Sequence, residues 1–380
     1  MKIILVTEHY PPHIAGMAVW VYNLAINLAK LGQEVRVVTM KFPDTTAYEE
    51  SSGVKIYRVA VPSRLGRYLF NLFCIPTLWK QAKECDIVHA ACENNIIPTW
   101  FVAKLLRKKR VVTYFEPLGN MWTKMASNYF YAKLVQLMER ISMSLGFDKH
   151  ACGSRYARNC ARFMGVYDEK LVTIYQGIDY DFFDPNKADG AMVRKRLNLD
   201  EKFVYFSFGR PGITKGVEYL VQAVPEISEK IPNSRLMLIM THEPKDRYRA
   251  IVKLIKDLGI ENNVLLLDPV PRNELPNYIA AADCVVDPSL SEGFGNTIGE
   301  ACAMERPLVA TDAGSLPEVA CGRYVLVEPR SARAIAEGVR RIYNDETETT
   351  KKKMFTWMAC AEKYLKVYDD ILKKGKGKKR

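Results

Sequence analysis

Short runs of β-branched and aliphatic residues alternate with amphipathic segments along this chain, and the alternation starts twice. Lys2 to Thr7 is an Ile- and Val-rich run with the length of a buried strand. After a Pro11-Pro12 turn, Val19, Tyr22, Leu24, Ile26, Leu28 and Leu31 form one apolar helix face, closed by Gly32. Glu34 to Met40 is the next strand. Strand, helix and strand in this order dictate a parallel sheet. The pattern continues with a strand near Ile87-Val88, a helix from Ile96 to Leu106 and a strand from Arg110 to Tyr114. A long amphipathic helix from about Tyr129 to Leu145 and strands near Lys149 and Val172 follow. Asp184-Pro185-Asn186 reads as a turn-rich linker, and the alternation restarts at Phe203. Further strands are expected at Arg235–Met240, Val264–Leu267, Cys284–Val286, Leu308–Ala310 and near Val325. Helices are expected at Gly216–Glu229, Glu274–Ala281, Asn296–Met304 and Ser331–Tyr343. A last helix, from Met354 to Leu372, carries Phe355, Trp357, Tyr364 and Tyr368 as aromatic anchors.

At 380 residues the chain is too long for one hydrophobic core. The expected fold is α/β: two doubly wound Rossmann-like domains facing across a deep interdomain cleft. The boundaries fall at residues 1–180, joined by the C-terminal helix of about 354–374, and 181–353. Ligands of such sheets sit beyond the carboxyl ends of the strands. The formal charge of +12 suits nucleic acid, an anionic membrane surface or a phosphate-rich small molecule. Nucleic acid ranks last, because no aromatic residues interleave with a basic groove and no reading helix is visible. Nine scattered cysteines without a Cys-x-x-Cys pair, and five histidines, give neither a disulfide framework nor a zinc site. Pro11-Pro12 between His9 and His13 excludes a helical ligand pair. This composition is expected of a reduced, cytoplasmic protein. No apolar run reaches the length that spans a bilayer, and Met1 to Val6 meets Glu8 and His9 too soon for the apolar stretch expected of a signal peptide.

Two segments carry chemistry. Ser291-Glu292-Gly293-Phe294-Gly295-Asn296-Thr297-Ile298-Gly299-Glu300 follows a strand and opens a helix. Its glycines let a ligand approach the backbone, and free N–H groups at a helix start bind an anion such as a diphosphate. Glu300, one turn in, reaches a ribose hydroxyl pair; Thr297-x-x-Glu300 also has the spacing of a capping box. The other segment, Phe208-Gly209-Arg210-Pro211-Gly212-Ile213-Thr214-Lys215-Gly216, sets Arg210 and Lys215 to flank one diphosphate, or leaves them as solvated loop cations. Asp179-x-Asp181 lies away from any Gly-rich phosphate loop and reads as structural rather than as a metal-binding pair.

Together the two segments resemble the retaining glycosyltransferase family 4, of the two-Rossmann-domain GT-B type. Further matches are Gly177-Ile178-Asp179…Phe183-x-Pro185, Ala313-Gly314-Ser315-Leu316-Pro317-Glu318 and the final aromatic helix, so the resemblance runs through nearly the whole chain. It implies a metal-independent hexosyltransferase that uses a nucleoside-diphosphate sugar as substrate and needs no cofactor. Arg210 and Lys215 are implied to hold the diphosphate and Glu300 the ribose. Glu292, with the backbone at Phe294, Gly295, Asn296 and Thr297, is implied to contact donor sugar and phosphates. Gly16 would admit the β-phosphate, and the base would lie against the loop containing Val270. Where the family often has a histidine after the strand Val111–Tyr114, this chain has Phe115 or Glu116; Gln176 and Glu305 are further departures. His89, at another strand end, joins Phe115 and Glu116 as an acceptor-side candidate.

The acceptor expected for the first domain is a glycan or a lipid-linked molecule. Arg64 to Lys83 mixes Leu65, Tyr68, Leu69, Leu72, Phe73, Ile75 and Trp79 with Arg64, Arg67, Lys80 and Lys83, either as a basic interfacial segment broken by Pro76 or as an ordinary core-packing helix. With Arg107-Lys108-Lys109-Arg110 and the tail Lys373, Lys374, Lys376, Lys378, Lys379 and Arg380, it suggests peripheral contact with the cytoplasmic face of an anionic membrane. Two other readings of the same fold are a nucleotide-sugar epimerase and a non-catalytic sugar-nucleotide-binding protein.

Overall fold

The computed structural model describes residues 1–12, 16–62, 66–119, 122 and 128–376, with backbone alone for 67, 68, 375 and 376. The chain divides into two compact units, 1–177 with 355–380, and 178–354. The turn at 184–186 therefore lies inside the second unit, where Asp184 Oδ1 accepts from the Asn186 backbone N–H at 3.0 Å.

The first unit is built on strands β1 (Lys2–Val6), β2 (Glu34–Met40), β3 (Tyr48–Ser51), β4 (Val54–Val59), β5 (Ile87–Ala90), β6 (Lys109–Tyr114), β7 (Lys149–Cys152) and β8 (Leu171–Thr173). They form an eight-stranded sheet in the order β3-β4-β2-β1-β5-β6-β7-β8, parallel except for β3. Helices α1 (Gly16–Lys30), α2 (Gly66–Ala82), α3 (Ile96–Leu105), α4 (Tyr129–Ser144) and α5 (Arg155–Phe163) accompany it. β1 shows why the sequence reads as a continuous apolar run. Ile3 and Leu5 join a core shared with α1, while Ile4 and Val6 join one shared with α2 and α3. Both faces of the strand are covered, as a central parallel strand requires.

The second unit repeats the plan with β9 (Phe203–Gly209), β10 (Ser234–Met240), β11 (Val264–Leu267), β12 (Cys284–Asp287), β13 (Leu308–Thr311), β14 (Gly322–Val327) and β15 (Glu348–Thr350). Their order is β11-β10-β9-β12-β13-β14-β15, with only β15 antiparallel. Its helices are α6 (Gly190–Arg196), α7 (Val217–Lys230), α8 (Lys245–Asp257), α9 (Leu275–Ala281), α10 (Asn296–Ala303), α11 (Leu316–Val319) and α12 (Ala332–Tyr343). Strand order reverses between β9 and β12, so the loops after these two strands meet at a topological switch point.

The last helix, α13 (Trp357–Lys376), belongs to the first unit. Two buried hydroxyls tie it to the first sheet. Tyr368 Oη lies 2.7 Å from His89 Nδ1, and Tyr364 Oη lies 2.8 Å from Thr113 Oγ1. Gly177 makes room for it: a Cβ there would sit 2.6 Å from Trp357 Cα.

Pro76 does not break the segment that contains it. α2 runs unbroken through it. Pro76 and Leu72, whose carbonyl loses the proline N–H, are both exposed, so the helix tolerates the proline on its solvent side. Arg64 and Leu65 of this segment, and Lys378, Lys379 and Arg380 of the tail, lie outside the described residues. No helix among the described residues is long and apolar enough to cross a membrane.

Candidate active site

In the second unit the loops after β9 and β12 are fastened to each other. Leu290 donates its backbone N–H to Thr214 O at 2.6 Å, and Lys215 pairs with Glu292 through Nζ and Oε2. Gly216 adopts φ +59, and a Cβ there would strike the Pro288 carbonyl oxygen, so glycine alone fits. The Ala313-Gly314-Ser315 segment, which follows β13, supports the same loop. The Ser315 N–H and Oγ–H both donate to Glu292 O, at 3.0 and 2.9 Å, and a Cβ on Gly314 would lie 2.5 Å from that oxygen. Glu292 is thus fixed through its backbone while its carboxylate is left to face Lys215.

Arg210, Lys215 and Thr297 line one small pocket, together with Gly209, Asp287 and Pro288. Arg210 is exposed, and its guanidinium makes no ion pair among the described residues. At the start of α10, Gly295 is the N-cap residue with φ +87, and no side chain caps the helix. The capping-box reading of Thr297 is corrected: Thr297 stands inside the first turn rather than at the N-cap, so Glu300 has no reciprocal capping partner. The first-turn N–H groups lie outside the helical ladder and bear the positive end of the helix dipole. Two cations and this helix start therefore converge on the carboxyl ends of β9 and β12.

Burial pushes the Glu300 carboxyl up to about 7, against the opposing pull of Arg272 and Lys215. Its carboxylate makes no hydrogen bond among the described residues. An acid held here without a partner is poised to accept from hydroxyl groups. Phe294 is buried, Asn296 exposed and Thr297 half-buried, so that a ligand at this loop meets mainly backbone. Val270, half-buried, follows β11 and precedes Arg272, whose guanidinium stacks over Phe182 at 5.2 Å.

Two residues escaped sequence reading as site members. Asp287 ends β12, is 3% exposed, and its Oδ2 has no hydrogen-bond partner among the described residues although Oδ1 accepts from the Ser289 N–H at 3.0 Å. A carboxylate at the end of an otherwise apolar strand run was the available signal. Arg272 was visible only as part of a loop; its electrostatic link to Glu300 needed the fold.

The remaining candidates lie in the first unit. Gly16 is the exposed first residue of α1, with no described residue within 4 Å of a Cβ. His89 is corrected as an acceptor contact. It is fully buried, its Nδ1 engages Tyr368 and its Nε2 lies 2.8 Å from Thr113 Oγ1. Burial lowers its pKa to about 3, so it is neutral and structural. Phe115 packs edge-to-face on Trp20, with ring centroids 4.9 Å apart. Glu116 lines a separate cavity of about 450 Å³ with Glu93, Glu139, Ile97, Leu134 and Met138. Glu93 Oε1 accepts the N–H groups of Phe115 and Glu116 at 2.7 and 3.2 Å, and Glu139 accepts those of Leu118 and Gly119 at 3.0 and 2.8 Å. Asp179 Oδ1 accepts the Phe182 N–H at 3.1 Å in a local turn.

Residues 14–182 match glycosyltransferase family 4, and residues 191–355 match glycosyl transferases group 1. A D-inositol 3-phosphate glycosyltransferase of Corynebacterium glutamicum is 30% identical over 429 aligned positions, covering 98% of this chain and 97% of that protein. The chain belongs to glycosyltransferase family 4. An uncharacterized glycosyltransferase of Methanocaldococcus jannaschii is 28% identical over 359 residues, 91% of this chain and 90% of its own. Sucrose-phosphate synthase from Thermosynechococcus elongatus shares the fold with a TM-score of 0.81 at 23% identity, over 98% of this glycosyltransferase and 99% of that chain. Anabaena HepE in complex with UDP-glucose does so at 0.74 and 19% identity, over 99% and 100%.

Proposed function

We propose that this glycosyltransferase moves a hexose-type sugar from a nucleoside-diphosphate sugar to a glycan or lipid-linked acceptor, with retention at the anomeric carbon and without a metal. The observation that carries the reading is the meeting of Arg210, Lys215 and the uncapped start of α10 at one pocket, with the unpartnered Glu300 carboxyl one helical turn away. HepE, which binds UDP-glucose, shares the fold and supports a nucleotide-sugar donor.

Breaking the anomeric C–O bond leaves positive charge on the sugar and a full extra negative charge on the departing diphosphate. Arg210 would grip that diphosphate with a planar fork, Lys215 as a point charge, and the α10 amides would complete its solvation. Entry of the phosphate draws Lys215 from Glu292, freeing that carboxylate for the donor sugar. Glu300 would accept from the ribose hydroxyls, Gly16 would admit the β-phosphate, and Val270 would border the base. On this reading the work takes place at the cytoplasmic face of a membrane, with the acceptor on the side of the first unit and Phe115 and Glu116 close to it. The two amides held by Glu93 fix those residues in place.

Retention and metal independence are read together by NMR. The enzyme is incubated with UDP-, GDP- and ADP-sugars in EDTA, and the released or transferred sugar is followed at its anomeric proton. The expected result is turnover in EDTA, with the first-formed anomer matching the donor. Turnover that stops in EDTA, or an inverted first product, would contradict the proposal.

A further inference from the structure

We propose that the outward faces of α2, α3 and α4 form a docking surface for an anionic lipid bilayer. The long helix α4 turns its apolar stripe to solvent. Phe130 is 85% exposed, and Leu134, Leu137 and Ile141, at the i+4, i+7 and i+11 positions from it, are all more than half exposed. On α3, Ile97, Phe101 and Leu105 repeat every fourth residue and are likewise exposed. On α2, Leu72 and Phe73 are exposed beside Pro76. Asn71 of α2, Ile97 of α3 and Leu134 and Met138 of α4 line the same cavity, so the three helices open onto one face. Exposed apolar surface of this extent on a water-soluble fold marks an interaction site.

Charge selects the occupant. α2 and α3 contain no acidic residue, and the one acid of α4, Glu139, spends its carboxylate on the Leu118 and Gly119 amides. Lys80, Lys104, Lys133 and Arg140 are exposed on these helices. Lys104 Nζ lies 4.5 Å from the Trp100 ring centroid and Lys133 Nζ 5.6 Å from that of Tyr129. Aliphatic side chains bordered by Trp, Tyr and Lys are the composition of an interfacial helix on negatively charged headgroups. The carboxylates of the shared cavity, Glu8, Glu93, Glu116 and Glu139, line its interior, where Glu8 accepts from Asn94 and Glu93 and Glu139 accept backbone amides, so the exposed side chains of the helices themselves are apolar and basic and favour an anionic surface over a protein partner of mixed charge. The inference rests on the proposed function only in giving a lipid-linked acceptor a surface to be met on.

The test is co-sedimentation of the full chain with vesicles, without donor or acceptor, so its outcome is independent of donor binding and turnover. Vesicles of phosphatidylcholine with phosphatidylglycerol are compared with phosphatidylcholine alone. Wild-type protein should sediment with the anionic vesicles. The exposed-site variant Phe130→Ser/Leu134→Ser/Leu137→Ser should lose roughly tenfold or more in partitioning, at an unchanged melting temperature. Lys104→Gln with Lys133→Gln should cost roughly fivefold per lysine, on anionic vesicles only. Wild-type protein that ignores both vesicles would overturn the proposal. So would a triple variant that binds as well as wild type, which would move binding to the C-terminal tail. A dimer in light scattering that the triple variant dissociates, without vesicle binding, would assign the face to a second copy instead.

Discussion

Glu300 concentrates the chemistry of the second unit in one titratable group. Its carboxyl is raised from 4.5 to about 7 by burial, so it is partly protonated at neutral pH in the free protein. On the proposed function, ribose hydroxyls would donate to the ionised form, so donor affinity should fall as the solution is acidified below about pH 7, by up to roughly tenfold per pH unit. Isothermal titration at about pH 6 and about pH 8 reads this, and Glu300→Gln should flatten the dependence while weakening binding. The stability sign is opposite. A folded-state pKa above the unfolded one means that the charged carboxylate costs stability above about pH 7, and that the cost disappears as pH falls toward 4.5. Glu300→Gln should therefore raise the melting temperature at about pH 8 and leave it unchanged near pH 4. An affinity that rises on acidification, or a variant less stable at high pH, would contradict this role. The sequence made Glu300 visible through spacing alone, but could not separate a ligand contact from a helix cap. Gly295 at the N-cap position removes the cap, because it has no side chain to accept from the first turn and places Glu300 two residues beyond the position a capping box needs; the ligand contact stays part of the proposed function.

At the scale of elements, two loops held edge to edge make the site. Gly216→Ala forces a Cβ into the Pro288 carbonyl at a left-handed φ, and should cost about 2–4 kcal/mol with loss of donor binding. Gly259→Ala is the control: φ is +64 there, but nothing lies within 4 Å, so only the left-handed cost of about 1–2 kcal/mol is expected and donor binding should survive. Chemical denaturation of both variants checks the difference. For α13, Tyr368→Phe leaves His89 Nδ1 without its buried partner and should cost about 1–3 kcal/mol, read as a lower melting temperature at unchanged donor affinity. The strongly periodic elements were legible before the structure, since buried parallel strands and broad apolar helix faces leave plain signals. The others were not. The β3–β4 hairpin turns through Ser52 and Gly53, both at positive φ; β3 is too short and polar to stand out, and β4, although it alternates, escaped sequence reading without its partner. α8 buries only Ile251 and Ile255, a stripe too narrow to register. The end of α2 hid behind Pro76, whose effect depends on which way its side of the helix faces.

For the whole molecule, the doubled sheet was the most legible feature, because each unit carries its own apolar alternation. What no local pattern could give is the use made of each surface. The formal charge of +12 is a single number in the sequence, whereas the fold sets Arg210 and Lys215 at one pocket and leaves Lys80, Lys104, Lys133 and Arg140 exposed on α2, α3 and α4. The central claim is that the second unit binds a nucleoside-diphosphate sugar through Arg210, Lys215 and Glu300. Differential scanning fluorimetry with UDP-, GDP- and ADP-sugars in EDTA tests it most directly. A donor at a hundredfold its dissociation constant should stabilise the protein by about 2.7 kcal/mol, a readily seen shift. The account predicts a shift with one nucleotide class that Arg210→Ala and Glu300→Ala each abolish. No shift with any donor, or a shift that both variants retain, would contradict it.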